Sequence, residues 1–406
     1  MIKPLYIGRQ PILDLKKETV AYEILYRAGE QSNEFPIING TMATNQVLYS
    51  LFYSLDFQKI LGGKKAFINF TKENLLQEFP VDIAPNHIVI ELLENIDIDN
   101  EVLDACKTLK NKGYKIALDD FFLKDRSLEL LHIADIVKVD WVTTNIEEIE
   151  QLTKFLKRYD VSLLAEKIEH EKEYRDAIEL GYKYFQGYFF EKPTIIRGED
   201  VSPTKWTYLK LFSLVQRPEI ESEELVKIIK HDPALAFKLL NLINSAAFSL
   251  PNEVKSVEQA ITLIGETEIR RWLSLVLMAN LCEDQPEELI IIASTRARFG
   301  ELIAIKIGQH HVSPTIFLLG ILSLIDTMTG RPMDELFKKI KVHPSIIKAL
   351  VEKSGPLFPF LYLMLAYERA NENGLKKCSE YFNLSYEDIT KCYLEAAQWA
   401  NYLRDI

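Results

Sequence analysis

The chain has 406 residues, 48% of them hydrophobic and 26% charged, with 16 Gly and 16 Pro, a make-up that excludes a disordered or collagen-like protein. At this length two domains with separate cores are expected. The formal charge of −11 argues against broad contact with polymeric nucleic acid, which requires a cationic surface, yet it leaves room for a small phosphorylated ligand held by a few local cations.

The N-terminus, MIKPLYIGRQPILD, lacks the apolar stretch of a signal peptide. The four cysteines, Cys106, Cys282, Cys378 and Cys392, form no CxxC pair and read as reduced thiols in a cytoplasmic protein. The most membrane-like segments, residues 315–326 and 356–367, fall short of the roughly 20 residues a span needs and read as buried helices, so no membrane contact is expected.

From Ile2 to about Thr194, short runs rich in β-branched and aromatic residues alternate with charged segments of helical period. The runs are YEILYR at Glu23, AFINF at Asn69, IVIELLE at Glu91, KIALDDF at Asp119 and Asp120, IVKVD at Lys138 and Asp140, and LLAEKIE at Glu166 and Glu169. Between them, residues 100–114, 126–134 and 171–182 repeat apolar positions at three and four, and Gly113 and Gly181 follow where left-handed helix ends are wanted. Strands that are apolar throughout, alternating with helices, predict a parallel sheet, and this number of units fits a closed (β/α)8-type TIM barrel. Such barrels carry their chemistry at the C-terminal ends of the strands, where the polar residues fall.

Residues 192–206 break the alternation with Pro193, Gly198 and Pro203, which places a boundary near residue 200. From Trp206 onward helix follows helix, so an all-α domain is expected. In HDPALAFKLLNLIN, Asp232 is placed to cap a helix with Pro233 at its first position.

An all-oxygen set of Glu, Asp and Asn without His or Cys suits Mg²⁺ or Mn²⁺ better than zinc. Consecutive residues leaving a strand, such as Asp119 and Asp120, can each reach a different ion, and two ions about 4 Å apart would promote phosphodiester hydrolysis. Lys138 in a barrel mouth could hold water or a phosphate oxygen, and Arg27 offers a planar fork for phosphate. Taken singly, Glu23 or Glu91 is more often a solvated strand-end carboxylate, Asp140 and Glu94 could be helix N-terminal acids, and Lys138 could snorkel to the surface. Taken together the series points to a phosphoryl-transfer site.

The segments YEILYR, FINFT, IELLE, LDDF, VKVD, AEKIE and FQGYFFEKP, in this order over about residues 1–195, resemble the EAL domain, a family that hydrolyses cyclic di-GMP to pGpG on a two-metal barrel. The resemblance implies two Mg²⁺ or Mn²⁺ ions ligated by Glu23, Asn69, Glu91, Asp119 and Asp120. It implies catalytic roles for Lys138, Glu166 and Glu169, and contacts to cyclic di-GMP by Arg27, Gln186 and Asp140. Three segments depart from the family pattern: Ile24 replaces the alanine of the name motif, Phe122, Leu123, Lys124 and Asp125 replace a glycine-containing loop, and Lys167 replaces a glycine in AEKIE.

Residues 228–250 and 256–278 resemble the HDOD domain, a helical relative of the HD phosphohydrolases that has lost their metal site. Where an HD enzyme shows a GLLHDIG-like segment this chain reads GILSLID, with Ser323 and Leu324 for His and Asp. His231 belongs to a helix-opening turn, and His310, His311 and His343 read as exposed or capping residues, so no metal is expected in this half. The expected organisation is an EAL-type barrel over residues 1–197 and an HDOD domain over 203–406. The expected activity is cyclic di-GMP hydrolysis, with a protein partner recruited through the HDOD half and a homodimer as a further expectation. Two other readings stand beside it: a catalytically silent cyclic di-GMP sensor, and an adaptor that ignores the ligand.

Overall fold

The computed structural model describes residues 5–28, 57–76, 84–93, 96–119, 121, 127–142, 144–188, 190, 203–217, 220–244, 254–282, 285–340 and 342–402. The chain divides into two compact units, Met1–Lys192 with Leu363–Gln398, and Pro193–Tyr362 with Trp399–Ile406.

The first unit is an eight-stranded closed barrel built in chain order. Its strands are β1 Leu5–Leu13, β2 Thr19–Ala28, β3 Lys65–Phe70, β4 Ile88–Leu92, β5 Lys115–Leu118, β6 Ile136–Asp140, β7 Ser162–Glu166 and β8 Tyr184–Gln186. Neighbours from β2 to β8 pair in parallel, as the alternation predicts. The departure is β1, which runs antiparallel to both β2 and β8, so the barrel opens with a hairpin in place of a strand-helix unit.

One buried residue from each of seven strands forms the barrel's core: Ile12, Ala21, Phe67, Val89, Ala117, Ile136 and Leu164, with Tyr184 of β8 packed against them. Strand side chains alternate faces with a period of two, so the residue two positions onward also points inside. Those residues are Glu23, Asn69, Glu91, Asp119, Lys138, Glu166 and Gln186. In antiparallel β1 the same layer is reached two positions backward from Ile12, at Gln10. An apolar plug thus floors a polar layer toward the C-terminal ends of the parallel strands.

Local chemistry sets the helices around the barrel. Asp99 caps Asn100–Asn111 by accepting from the Val102 N–H at 3.0 Å. Glu171–Leu180 opens with Glu173 Oε2 accepting from the N–H groups of Glu169 and His170 at 2.8 and 3.1 Å, and closes on Gly181 at φ 89°. Tyr188, just past β8, donates its hydroxyl to the Glu368 carbonyl at 3.4 Å and lies under the Arg369 guanidinium, 5.5 Å away, which fastens the C-terminal segment of this unit to the barrel.

The second unit is helical throughout its described residues. Asp232 caps Pro233–Ile243 as expected, accepting from the Ala234 N–H at 2.9 Å. Arg270 ties Glu266–Leu281 to the end of Pro203–Val215 by donating to the carbonyls of Val215, Arg217 and Ile220. Glu301, fully buried on Glu288–Lys306, accepts from Arg271 and Arg298, so its charge is paired from two sides. Gly320 permits a close crossing with Glu288–Lys306, because a Cβ there would lie 2.4 Å from the Ala297 Cα. Among the described residues no helix is long and apolar enough to cross a membrane, and all four cysteines are buried free thiols.

Candidate metal and phosphodiester site

Lys138 is the centre of the polar layer. Its side chain is 0% exposed, and its ammonium donates to Glu23 Oε2 at 3.2 Å and to Glu91 Oε1. It also pairs with Asp119 Oδ1 at 3.0 Å and Glu166 Oε1 at 2.7 Å. Carboxylates from β2, β4 and β7 and from the end of β5 therefore converge on one cation carried by β6. Backbone hydrogen bonds extend the ladder past the strand ends and fix this register: Asp119 N–H to Leu92 O, Trp141 N–H to Glu166 O, and Ile168 N–H to Gln186 O, at 2.9, 3.2 and 3.0 Å.

Burial and mutual repulsion set the electrostatics. Desolvation raises the Glu91 carboxyl well above its usual range against the pull of Lys138, and pushes Glu166 up to about 8. Desolvation acts the same way on Asp119, but Lys138 and hydrogen bonds from the neighbouring groups outweigh it and leave that carboxyl lowered. Burial alone would strip the charge from Lys138; the four surrounding carboxylates reverse this and raise its pKa well above normal. The result is a locked ammonium beside two carboxyls, Glu91 and Glu166, that hold their protons unusually well.

The donor set fits a hard divalent cation. Glu23, Glu91 and Glu166 each offer an oxygen, all within 4.8 Å of one another. Glu91 Oε2 and Gln186 Oε1 are buried with no hydrogen-bond partner, so acceptor capacity is left over inside the mouth. Asn69 sits directly beside Glu91 in the β3–β4 register.

Of the residues singled out from sequence, Glu23, Glu91, Asp119, Lys138 and Glu166 meet in this one cluster. Gln186 joins them, its amide donating to Glu23 Oε2 at 2.6 Å. Asp140 is held elsewhere: buried at 4% exposure, it accepts the Val142 N–H at 2.7 Å and pairs with Lys167 at 2.5 Å. Glu169 is exposed on the turn before Glu171–Leu180 and is not among the carboxylates around Lys138. The backbone of Arg27 pairs with Tyr6 in the β1–β2 hairpin; its side chain, together with Glu94, Asp120 and residues 122–125, lies outside the described residues. Sequence reasoning missed Gln10, whose Oε1 accepts from Gln186 Nε2 at 3.0 Å and so turns that amide toward Glu23. In the other half, His343 caps Pro344–Leu350 and His310 and His311 are exposed, in line with the reading of these histidines. Ser323 accepts from the buried Arg296 at 3.1 Å.

Residues 8–193 match the EAL domain family and residues 203–330 match the HDOD domain family. The chain is 33% identical to the uncharacterized protein YuxH of Bacillus subtilis, over 98% of this chain and 99% of that one. It is 29% identical to the cyclic di-GMP phosphodiesterase CdgJ of Vibrio cholerae, over 97% of this chain and 92% of that one. Among solved structures, a cyclic di-GMP complex of the PaMucR phosphodiesterase is similar to 46% of this chain with 95% of its own, at 18% identity and a TM-score of 0.39. A manganese and cyclic di-GMP complex of Klebsiella pneumoniae BlrP1 is similar to 46% of this chain with 55% of its own, at 23% identity and a TM-score of 0.38.

Proposed function

The chain belongs to the EAL family and carries an HDOD domain after its barrel, and on that premise we propose that it binds cyclic di-GMP in the barrel mouth and hydrolyses it to pGpG with two divalent cations, Mg²⁺ or Mn²⁺. The observation that carries this reading is the meeting of Glu23, Glu91, Asp119 and Glu166 around Lys138 in one buried layer. Bound divalent cations would supply a more acidic water and offset the charge that develops on the phosphodiester.

The protein's own groups divide the remaining work. Glu23, Asn69, Glu91 and Asp119 are the residues to hold the cations, with Asp120 joining them from the sequence. Glu166, buried at the mouth and paired with Lys138, is placed to take a proton from the attacking water. Lys138 keeps its charge and so can orient that water or a phosphate oxygen. Gln186 restrains Glu23, Arg27 supplies a fork for phosphate, and Glu169 supports the rim through its place before Glu171–Leu180. In the helical unit, Ser323 and Leu324 replace the residues an HD enzyme would need, which favours a non-catalytic module that recruits a protein partner.

Incubation of the purified chain with cyclic di-GMP and Mn²⁺ or Mg²⁺, with product resolved by chromatography, tests the reading. Accumulation of pGpG, lost in Glu23→Ala, is expected; no product above that variant rejects hydrolysis. One sequence feature favours a second reading, a sensor without turnover: the loop residues Phe122, Leu123, Lys124 and Asp125 carry side chains where glycine would let the backbone move. Metal-dependent binding without product would select it.

A further inference from the structure

Lys167 follows Glu166 directly and adopts φ 57°, a left-handed conformation that L residues other than glycine, asparagine and aspartate seldom take. The rim leaves little choice. The Glu166 carbonyl on one side accepts from Trp141 and the Ile168 N–H on the other donates to Gln186, so both peptide groups flanking residue 167 are fixed in the ladder. Gly187 at φ 143° packs so closely that a Cβ there would fall 2.1 Å from the Ile168 carbonyl oxygen, which closes the loop from the far side. Glycine would meet this backbone demand at residue 167 without strain. A strained lysine beside a functional layer calls for a reason in its side chain.

The side chain supplies one. The Lys167 ammonium lies 2.5 Å from Asp140 Oδ2, and the two differ sharply in exposure: 51% for the lysine side chain and 4% for the aspartate. Asp140 is itself held through its other oxygen by the Val142 N–H. A buried carboxylate anchored by the Val142 N–H thus steers a half-exposed ammonium at the end of β7. Lys138, by contrast, is fully buried and engaged by four carboxylates. Cyclic di-GMP, with one negative charge on each of its two phosphodiesters, must approach a mouth rich in negative charge, and a cation on the rim lowers that barrier.

We propose that Lys167 is a ligand-binding residue, its ammonium contacting a phosphate oxygen of the incoming phosphodiester, and that Asp140 is the positioning residue that aims it. This rests on the cyclic di-GMP reading above and gives Asp140 an indirect part in binding.

Stopped-flow binding of a fluorescent cyclic di-GMP analogue in Mg²⁺, read before turnover at several ionic strengths, tests it on the full chain. Lys167→Gly fits the backbone without the charge and is expected to weaken binding about tenfold and to flatten the salt dependence of association. Lys167→Arg keeps the charge and is expected to stay within about threefold of the parent, since only the geometry of the contact changes. The double variant Lys167→Gly with Asp140→Asn also removes the carboxylate charge that Lys167 faces. It is expected to remain weak; restored binding would mean that Lys167 only neutralises Asp140, and would overturn the proposal. Equal binding by parent and Lys167→Gly, or an arginine variant as weak as the glycine variant, would overturn it as well. A parent chain that fails to bind at all sinks the cyclic di-GMP reading itself, and this inference with it.

Discussion

Lys138 shows how far a single residue can be defined by its neighbours. A lysine stripped of water would ordinarily lose its proton, yet four carboxylates hold this one charged, and they in turn depend on it. Lys138→Met in the metal-free protein is therefore expected to lower stability by about 3–5 kcal/mol, measured by urea unfolding, because it leaves a cluster of like charges unpaired. A change below about 1 kcal/mol would mean that the carboxylates are already protonated and do not need the ammonium. Glu166 adds a pH dependence of definite sign. Its carboxyl is raised from 4.5 to about 8 in the fold, so its favourable contribution is complete at low pH and is lost as pH rises through that window. Metal-free parent and Glu166→Gln proteins, melted in parallel from about pH 5 to about pH 9, should show the parent losing ground to the variant as pH rises. A constant difference would remove Glu166 from this role.

At the scale of elements, most of the barrel was legible because its inner strands are buried on both faces and read as unbroken apolar runs: β4 and β6 have no exposed residue. β1 and β8 escaped that signal. β8 is three residues long, and β1 runs antiparallel, so its inward polar residue, Gln10, precedes its core residue where the other strands have the reverse order. The Lys167–Asp140 pair was illegible for a different reason: it joins the end of β7 to the end of β6, and no spacing in the sequence announces that register. Glycine marks two close approaches, at Gly187 and Gly320. Gly187→Ala would set a methyl against the Ile168 carbonyl at a disfavoured φ and is expected to cost about 1–3 kcal/mol, read as a lowered melting temperature, with Glu23 loosened through Gln186. Gly320→Ala, in the helical unit, is expected to cost about as much, roughly 1–3 kcal/mol from overpacking against Ala297, while leaving metal binding intact. Equal loss of metal affinity in both variants would contradict the separate roles of the two glycines.

For the whole molecule, the alternation of the first half and the helices of the second were plain from hydrophobic period, and the two families matched follow the same division. What the period could not reveal is the grouping of Leu363–Gln398 with the barrel, because that depends on contacts such as Tyr188 with Arg369, made between residues far apart in the chain. If the proposed site holds cations only in the folded chain, Mn²⁺ is expected to raise the melting temperature progressively with concentration, and Glu91→Gln to blunt that response. The most direct test of the proposed paired-cation site is anomalous diffraction from crystals grown with Mn²⁺ and cyclic di-GMP. Two manganese peaks among Glu23, Asn69, Glu91 and Asp119, with a ligand phosphate against them, are the expected result; peaks elsewhere, or none in the barrel mouth, would contradict it.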